Sequence, residues 1–154
     1  DTGFPGMKVL EFAFDSRDSG CANDYLPHNY TENCVAYTGT HDNETIRGWF
    51  ESIREDERRL ARAYICDKYT PRQYLHTSFI SLIMASRANL CVIPMQDYMG
   101  YDNTCRMNQP STVGINWKWR LKEGDLTEEL TREIRGIVRR YGRLAWQWDE
   151  RLDG

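Results

Sequence analysis

The sequence predicts an α/β fold built on a parallel sheet, and three observations carry that expectation. Short apolar runs stand at residues 8–14, 35–40 and 90–95. Stretches with apolar residues three and four apart lie between and after them, the alternation that marks parallel sheets. Each apolar run leads into a polar segment rich in Asp, Asn, His and Gln, and parallel α/β folds collect their chemistry at the carboxyl ends of strands.

Residues 8–14 read KVLEFAF. The run is interrupted only by Glu11, which suits a strand covered on both faces. Gly3, Pro5 and Gly6 before it are turn residues. Residues 15–33 are polar, contain Gly20 and Pro27 and show no helical period; they read as a long loop of the kind that often carries function. Residues 35–40, VAYTGT, form the second strand, in which Gly39 marks close approach by a ligand or another backbone. Ile46, Trp49, Phe50 and Ile53 fall at i, i+3, i+4 and i+7 and predict one helix to about Tyr64, with 54–62 as its solvated face.

Thr70, Pro71 and Gln73 make a helix start, Thr70 capping and Gln73 completing a capping box. Leu75, Phe79, Leu82, Ile83 and Ser86 trace one face of that helix to about Ala88. Residues 90–95, LCVIPM, form the third strand. Residues 96–118 are loop-like. Asp125 with Glu128 resembles another capping box, and Leu130, Ile134, Ile137, Val138 and Tyr141 make the apolar stripe of a last helix.

The 154 residues suit one domain. Twenty Lys and Arg against 23 Asp and Glu give a net charge of -3, which argues against nucleic-acid binding through bulk charge. No stretch approaches the roughly 20 apolar residues of a membrane span. No signal peptide is visible, and a first residue of Asp points to a mature product or a cut piece. The five cysteines, Cys21, Cys34, Cys66, Cys91 and Cys105, form no zinc or disulfide framework. A reduced, cytoplasmic setting is the simplest reading. Nine Tyr and five Trp supply flat rings that suit sugar faces as well as cores.

The densest chemical cluster is residues 38–45, TGTHDNET, after the second strand. His41 and Asp42 there suit binding of a polar substrate or stabilisation of positive charge. Equally, Asp42 or Asn43 caps the following helix. Met95-Gln96-Asp97 follows the third strand, and Arg106-Met107-Asn108 lies beyond it. Residues 116–120, NWKWR, are either a sugar platform or cation–π packing. His28 reads as a loop hydrogen bonder and His76 as structural. No metal-ligand spacing, phosphate-binding glycine loop or nucleophile elbow occurs, and no cofactor is expected.

Together these stretches resemble one family, the 4-α-glucanotransferases of the amylomaltase or disproportionating-enzyme type, glycoside hydrolase family 77. The resemblance rests on GFPGMKVLEFAF at 3–14, YLPHNY at 25–30, YTGTHDNET at 37–45, RGW at 47–49, PMQD at 94–97, RMNQP at 106–110 and NWKWR at 116–120. The seven stretches come in the family's order across almost the whole chain. Ser111 departs from the family's usual Gly, Tyr98 and Met99 from its common Leu pair, and Ser16 from the second residue of its acidic pair.

The resemblance implies that residues 1–154 are the C-terminal segment, about strands 6–8, of a (β/α)8 TIM barrel, with no separate second domain. A whole barrel needs about 250 residues. It also implies a retaining transferase that moves α-1,4-glucan segments among maltose, maltotriose and longer maltodextrins. Of the family's three carboxylates, the transition-state stabiliser maps onto Asp42. His41 would hydrogen-bond the sugar beside it, and Asn116 would touch substrate. The nucleophilic Asp and acid/base Glu would lie upstream of Asp1, so the chain alone is expected to be inactive. It is also expected to self-associate or to pair with the rest of its barrel. The competing readings are a non-catalytic carbohydrate-binding or assembly module and a piece of an α-amylase-type hydrolase.

Overall fold

The computed structural model describes residues 3–15, 17 and 23–145. Cys21, Gly20 and the tail after Ala145 lie outside the described residues. Three strands, β1 (Gly6–Val9), β2 (Cys34–Tyr37) and β3 (Leu90–Val92), pair in parallel in the order β1-β2-β3. The register sets Met7 beside Val35 and Val35 beside Leu90, and likewise Val9, Tyr37 and Val92 in a row. The predicted parallel α/β architecture is therefore present.

The helices are α1 (Ile46–Ser52), α2 (Glu55–Tyr64), α3 (His76–Met84), the single turn α4 (Met95–Tyr98) and α5 (Glu128–Arg140). The chain divides into two compact units, residues 1–119 and 120–154. The first holds the sheet and α1 to α4. The second holds α5, whose N-terminus is capped by Thr127 Oγ1 accepting from Leu130 N at 3.1 Å. Asp125 does not cap it; its Oδ2 accepts from Lys122 N in the preceding turn.

Side chains alternate across a strand, and the two faces of this sheet differ. Cys34 and Ala36 are buried on the helix side, in a core with Ile46, Trp49, Phe50, Leu75, Phe79 and Ile83. Phe79 is its hub, with ring centroids 5.6 Å from both Trp49 and Phe50 and 6.4 Å from Phe14. Burial of such rings supplies roughly 1.5–3 kcal/mol each. On the opposite face Met7 and Leu90 are 60% and 53% exposed, and Val92 is also exposed. Of that set only Val9 is buried.

Each strand is shorter than the apolar runs predict. β1 stops at Val9 because the chain tightens into a 3-10 turn at Leu10–Phe12, with Ala13 N donating to Leu10 O at 2.9 Å. Leu10, Ala13 and Phe14 are thus buried in and just after a turn, not in a strand, and Phe12 is exposed. β3 stops before Pro94, which leads into α4; proline lacks the ladder donor and fits a helix start.

The single helix predicted from Ile46 to Tyr64 is two. Ile53 and Arg54 are extended, with ψ of 162° and 157°. Arg58 Nη2 donates to Ile53 O at 2.6 Å, satisfying a carbonyl at the end of α1. The periodic signal continued across the break because Ile53 still packs against the core. Thr70 starts no helix either. Its N–H donates to Asp67 Oδ1 at 3.0 Å, a 3-10 turn spans Arg72–Tyr74, and α3 begins only at His76. It ends at Met84, four residues short of Ala88, where Ser86 bonds back to Ile83 O.

Candidate functional site

The site grows from the carboxyl end of β2. Thr38 is buried, and its hydroxyl donates to Asp97 Oδ2 at 2.5 Å. Asp97 Oδ1 accepts from Ile46 N, the first residue of α1, at 2.8 Å. One carboxylate thereby ties the strand end, α1 and α4 together. A negative charge at a helix N-terminus is favourable, but burial dominates and pushes the Asp97 carboxyl up to about 6, against the lowering effect of these two bonds.

Residues 40–43 form a tight turn. Asn43 N donates to Thr40 O at 3.1 Å, and Asn43 Oδ1 accepts from both Thr40 N and Thr40 Oγ1. Asn behaves this way because its short amide mimics a backbone group. His41 and Asp42 occupy the two corners and both are exposed. Their side chains meet, His41 Nε2 lying 3.2 Å from Asp42 Oδ1.

The helix after this turn is capped by Thr45, whose Oγ1 accepts from Gly48 N at 3.1 Å. Neither Asp42 nor Asn43 serves as that cap, so the alternative left open by the sequence is resolved against capping. The Asp42 carboxylate, 49% exposed, is free for another role.

A second loop braces Asp42 from outside. Asn108 Nδ2 donates to Asp42 Oδ1 at 2.6 Å, and Arg106 Nη2 donates to Asp42 O at 2.7 Å. Asn108 N also donates to His41 O at 3.1 Å. Gln96 Nε2 holds the start of this loop by donating to Cys105 O at 3.2 Å. The clusters at 38–45, 95–97 and 106–108, remote in sequence, form one constellation. Beside it lies a pocket of about 210 Å³ lined by His41, Asn43, Glu44, Gln96, Arg106 and Met107 among others.

Trp117 joins the same place. Its N–H donates to Met107 O at 2.7 Å, and its ring lies 5.3 Å from the His41 ring, tilted by 35°. Its backbone φ is 62°, a left-handed conformation that side chains resist. Asn116 is spent on its own loop. Its Oδ1 accepts from Gln109 N at 2.9 Å, and its Nδ2 donates to Thr112 O at 2.9 Å. Of the three residues singled out from sequence, the structure brings His41 and Asp42 together and sets Asn116 one step back, shaping the segment that carries Trp117.

Two residues outside those three prove central. Asn103 accepts from Thr45 N at 3.2 Å and donates to Glu44 Oε1 at 2.7 Å. Its amide also occupies the space where Gly48 has no Cβ, so Gly48 is a packing requirement. Glu11 lies buried under the turn, its Oε1 2.8 Å from where a Cβ on Gly39 would stand. The close approach that Gly39 signals in the sequence is therefore to a side chain. Burial first, then the Asp97 and Glu44 charges, raise the Glu11 carboxyl well above its usual range, against a lowering effect of Arg106. His28 bonds through Nδ1 to Tyr64 Oη at 2.8 Å, away from this site, and His76 packs against Gly100.

The described residues contain no group of three or more His, Cys, Asp and Glu placed to hold a metal ion. What the arrangement offers is a fixed carboxylate with an imidazole and an indole beside it. Such a set can hold a polyhydroxylated ring and oppose positive charge developing on it.

The chain is similar to known proteins along nearly its full length. The glycoside hydrolase 77 family model, described as 4-alpha-glucanotransferase, matches residues 1–127. A 4-alpha-glucanotransferase of Clostridium butyricum is 46% identical over 143 residues, covering 92% of this chain and 28% of that protein. A 4-alpha-glucanotransferase of Synechocystis is 43% identical, covering 95% of this chain and again 28% of the relative. Among solved structures, the amylomaltase from Streptococcus agalactiae in complex with acarbose superposes with a TM-score of 0.85 at 38% identity, over 94% of this chain and 28% of that one. The chain thus spans somewhat more than a quarter of the length of these relatives. With a family model matched over the turn, the bracing loop and the segment around Trp117, this chain belongs to glycoside hydrolase family 77, the 4-alpha-glucanotransferases.

Proposed function

We propose that the full-length protein carrying this chain is a retaining 4-α-glucanotransferase that moves α-1,4-glucan segments between maltodextrins. In this reading residues 1–154 contribute about strands 6–8 of a (β/α)8 barrel, as a segment of one catalytic domain. The nucleophilic Asp and the acid/base Glu lie on other parts of the protein. Asp42 is the transition-state stabiliser, His41 a sugar hydrogen bonder, and Asn116 reaches substrate through the loop that it shapes.

The observation that carries the reading is the Asp42 carboxylate, exposed at a strand end, gripped by Asn108 and not consumed in capping. Retention requires a covalent glycosyl intermediate reached through a transition state like an oxocarbenium ion. A fixed carboxylate that holds ring hydroxyls more tightly as the sugar distorts lowers that barrier. The flanking indole and imidazole suit the flat apolar face of a glucose unit. The related amylomaltase, solved with acarbose, supports a glucan-like ligand for this family.

The exposed row of Met7, Leu90 and Val92 supports a sheet face that packs against more protein, either the remaining strands of the barrel or a second copy of this chain.

The test is Asp42→Asn in the full-length protein, assayed for disproportionation of maltotriose. Asn keeps the shape and loses the charge, so kcat falls by at least about 10³-fold with the melting temperature unchanged. Near-normal kcat would reject Asp42 as the stabiliser.

A further inference from the structure

A buried acid beneath the turn has a role that the reaction scheme above does not use. Glu11 follows β1, and its N–H donates to Thr38 O at 3.3 Å, so it is fastened to the end of β2. Its side chain runs under Gly39, where Oε1 and Cδ fill the space that a Cβ would need. The next atom in that space is Asn43 Cβ, 3.3 Å from the same point. Oε1 is buried and has no hydrogen-bond partner.

The surroundings do not suit an ionised carboxylate. Asp97 on α4 and Glu44 before α1 act on Glu11 as like charges. Asp15 and Glu57 line a pocket with it, together with Phe14 and Trp49. The cation that acts favourably on Glu11, Arg106, directs its Nε to Asn108 O and its Nη2 to Asp42 O. A charge on the buried Oε1 would have no hydrogen-bond partner and no bonded counter-ion, which is unfavourable.

We propose that Glu11 is a positioning residue that works as a neutral carboxylic acid, wedged under Gly39 to set the height of the 40–43 turn and hence of His41 and Asp42. Ionising it puts a third negative charge among Asp97 and Glu44, directly under the turn, and displaces the Asp42 carboxylate. Activity would then fall on the alkaline side for a reason located in Glu11 and not in the reacting groups. This inference rests on the reading of Asp42 given above for its activity readout.

The experiment compares the full-length wild type with Glu11→Gln and Glu11→Ala, following maltotriose disproportionation and melting temperature across pH. Glu11→Gln has the shape and neutrality of the protonated acid. It should keep kcat within about threefold at acidic and neutral pH and hold it further into the alkaline range than wild type. Glu11→Ala should lose kcat by about tenfold or more, with a smaller change in KM, because the wedge is gone. The stability sign follows from linkage. A carboxyl raised in the folded state contributes stability present below its unfolded value and lost as pH rises to the folded value. The melting temperature of Glu11→Gln relative to wild type should therefore climb with pH above the acid range.

A Gln variant inactive at every pH, or a melting difference independent of pH, would overturn the proposal. If the wild-type protein shows no transferase activity, the functional reading fails, while the melting series still tests the state of Glu11. If Glu11→Gln does not fold, carbon-13 spectra of carboxyl-labelled wild type decide the matter. One glutamate carbon should stay at its protonated position at neutral pH, and its absence would refute the neutral acid.

Discussion

Asn108 Nδ2 lies 2.6 Å from Asp42 Oδ1, joining residues 66 positions apart in the chain. The same Asn108 receives Arg106 Nε on its carbonyl and donates its own N–H to His41 O. The bracing loop therefore holds both the backbone and the carboxylate of the turn, while the strand end fixes it from beneath. An exposed carboxylate ordinarily samples several rotamers; this one is restrained by a hydrogen bond made to its charged form.

Asn108→Ala removes that restraint and leaves Asp42 itself intact. In the full-length protein kcat should drop by about 10²-fold, the scale of a small misplacement in a preorganised site. The Asp42→Asn loss should be larger. Steady-state kinetics on maltotriose check both, and equal effects of Ala and Leu at position 108 would confirm that the amide matters and not its volume.

Asp97 should make stability depend on pH. Burial pushes its carboxyl up to about 6 in the folded protein, above the ordinary aspartate value of 3.8. The stability it contributes is complete below about pH 4 and is lost as pH rises through about 6, on the order of 3 kcal/mol in all. Asp97→Asn should flatten that window in thermal melts. Asp97→Ala should destabilise by about 2–3 kcal/mol, because the Thr38 hydroxyl and Ile46 N–H are left buried without an acceptor.

Ser111 sits at φ 64°, in the left-handed region. Glycine has no Cβ to resist that backbone, which accounts for the glycine that the family usually carries there. Ser111→Gly should stabilise the protein by about 0.5–1 kcal/mol, read as a shift of the denaturation midpoint. No change in kcat is expected.

The isolated chain should not disproportionate maltotriose, and it should not be a free monomer. Met7, Leu90 and Val92 leave an apolar sheet face exposed, and paired β-edges are absent beyond β1 and β3 among the described residues. Light scattering at micromolar concentration should show association, weakened by Met7→Lys with Leu90→Lys. A cooperative, monodisperse monomer would show that the helix-side core suffices.

The sequence by itself determined the parallel strands, the helical face of Phe79 and Ile83, and the concentration of polar chemistry after each strand. These are legible because alternation and periodicity are local consequences of burying one face. It also marked residues 38–45 as the richest cluster, and Gly39 as a close contact. Only tertiary structure decided where the elements end. Leu10 and Phe14 are as apolar as strand residues but are buried in and just after a turn, and Ile53 keeps helical spacing across a break that Arg58 stabilises. Nor could spacing show that Thr45 caps α1, which freed Asp42, or that Glu11 reaches beneath Gly39. Those outcomes depend on which side chain arrives first at a buried backbone group, and that is set by atoms brought together from distant parts of the chain.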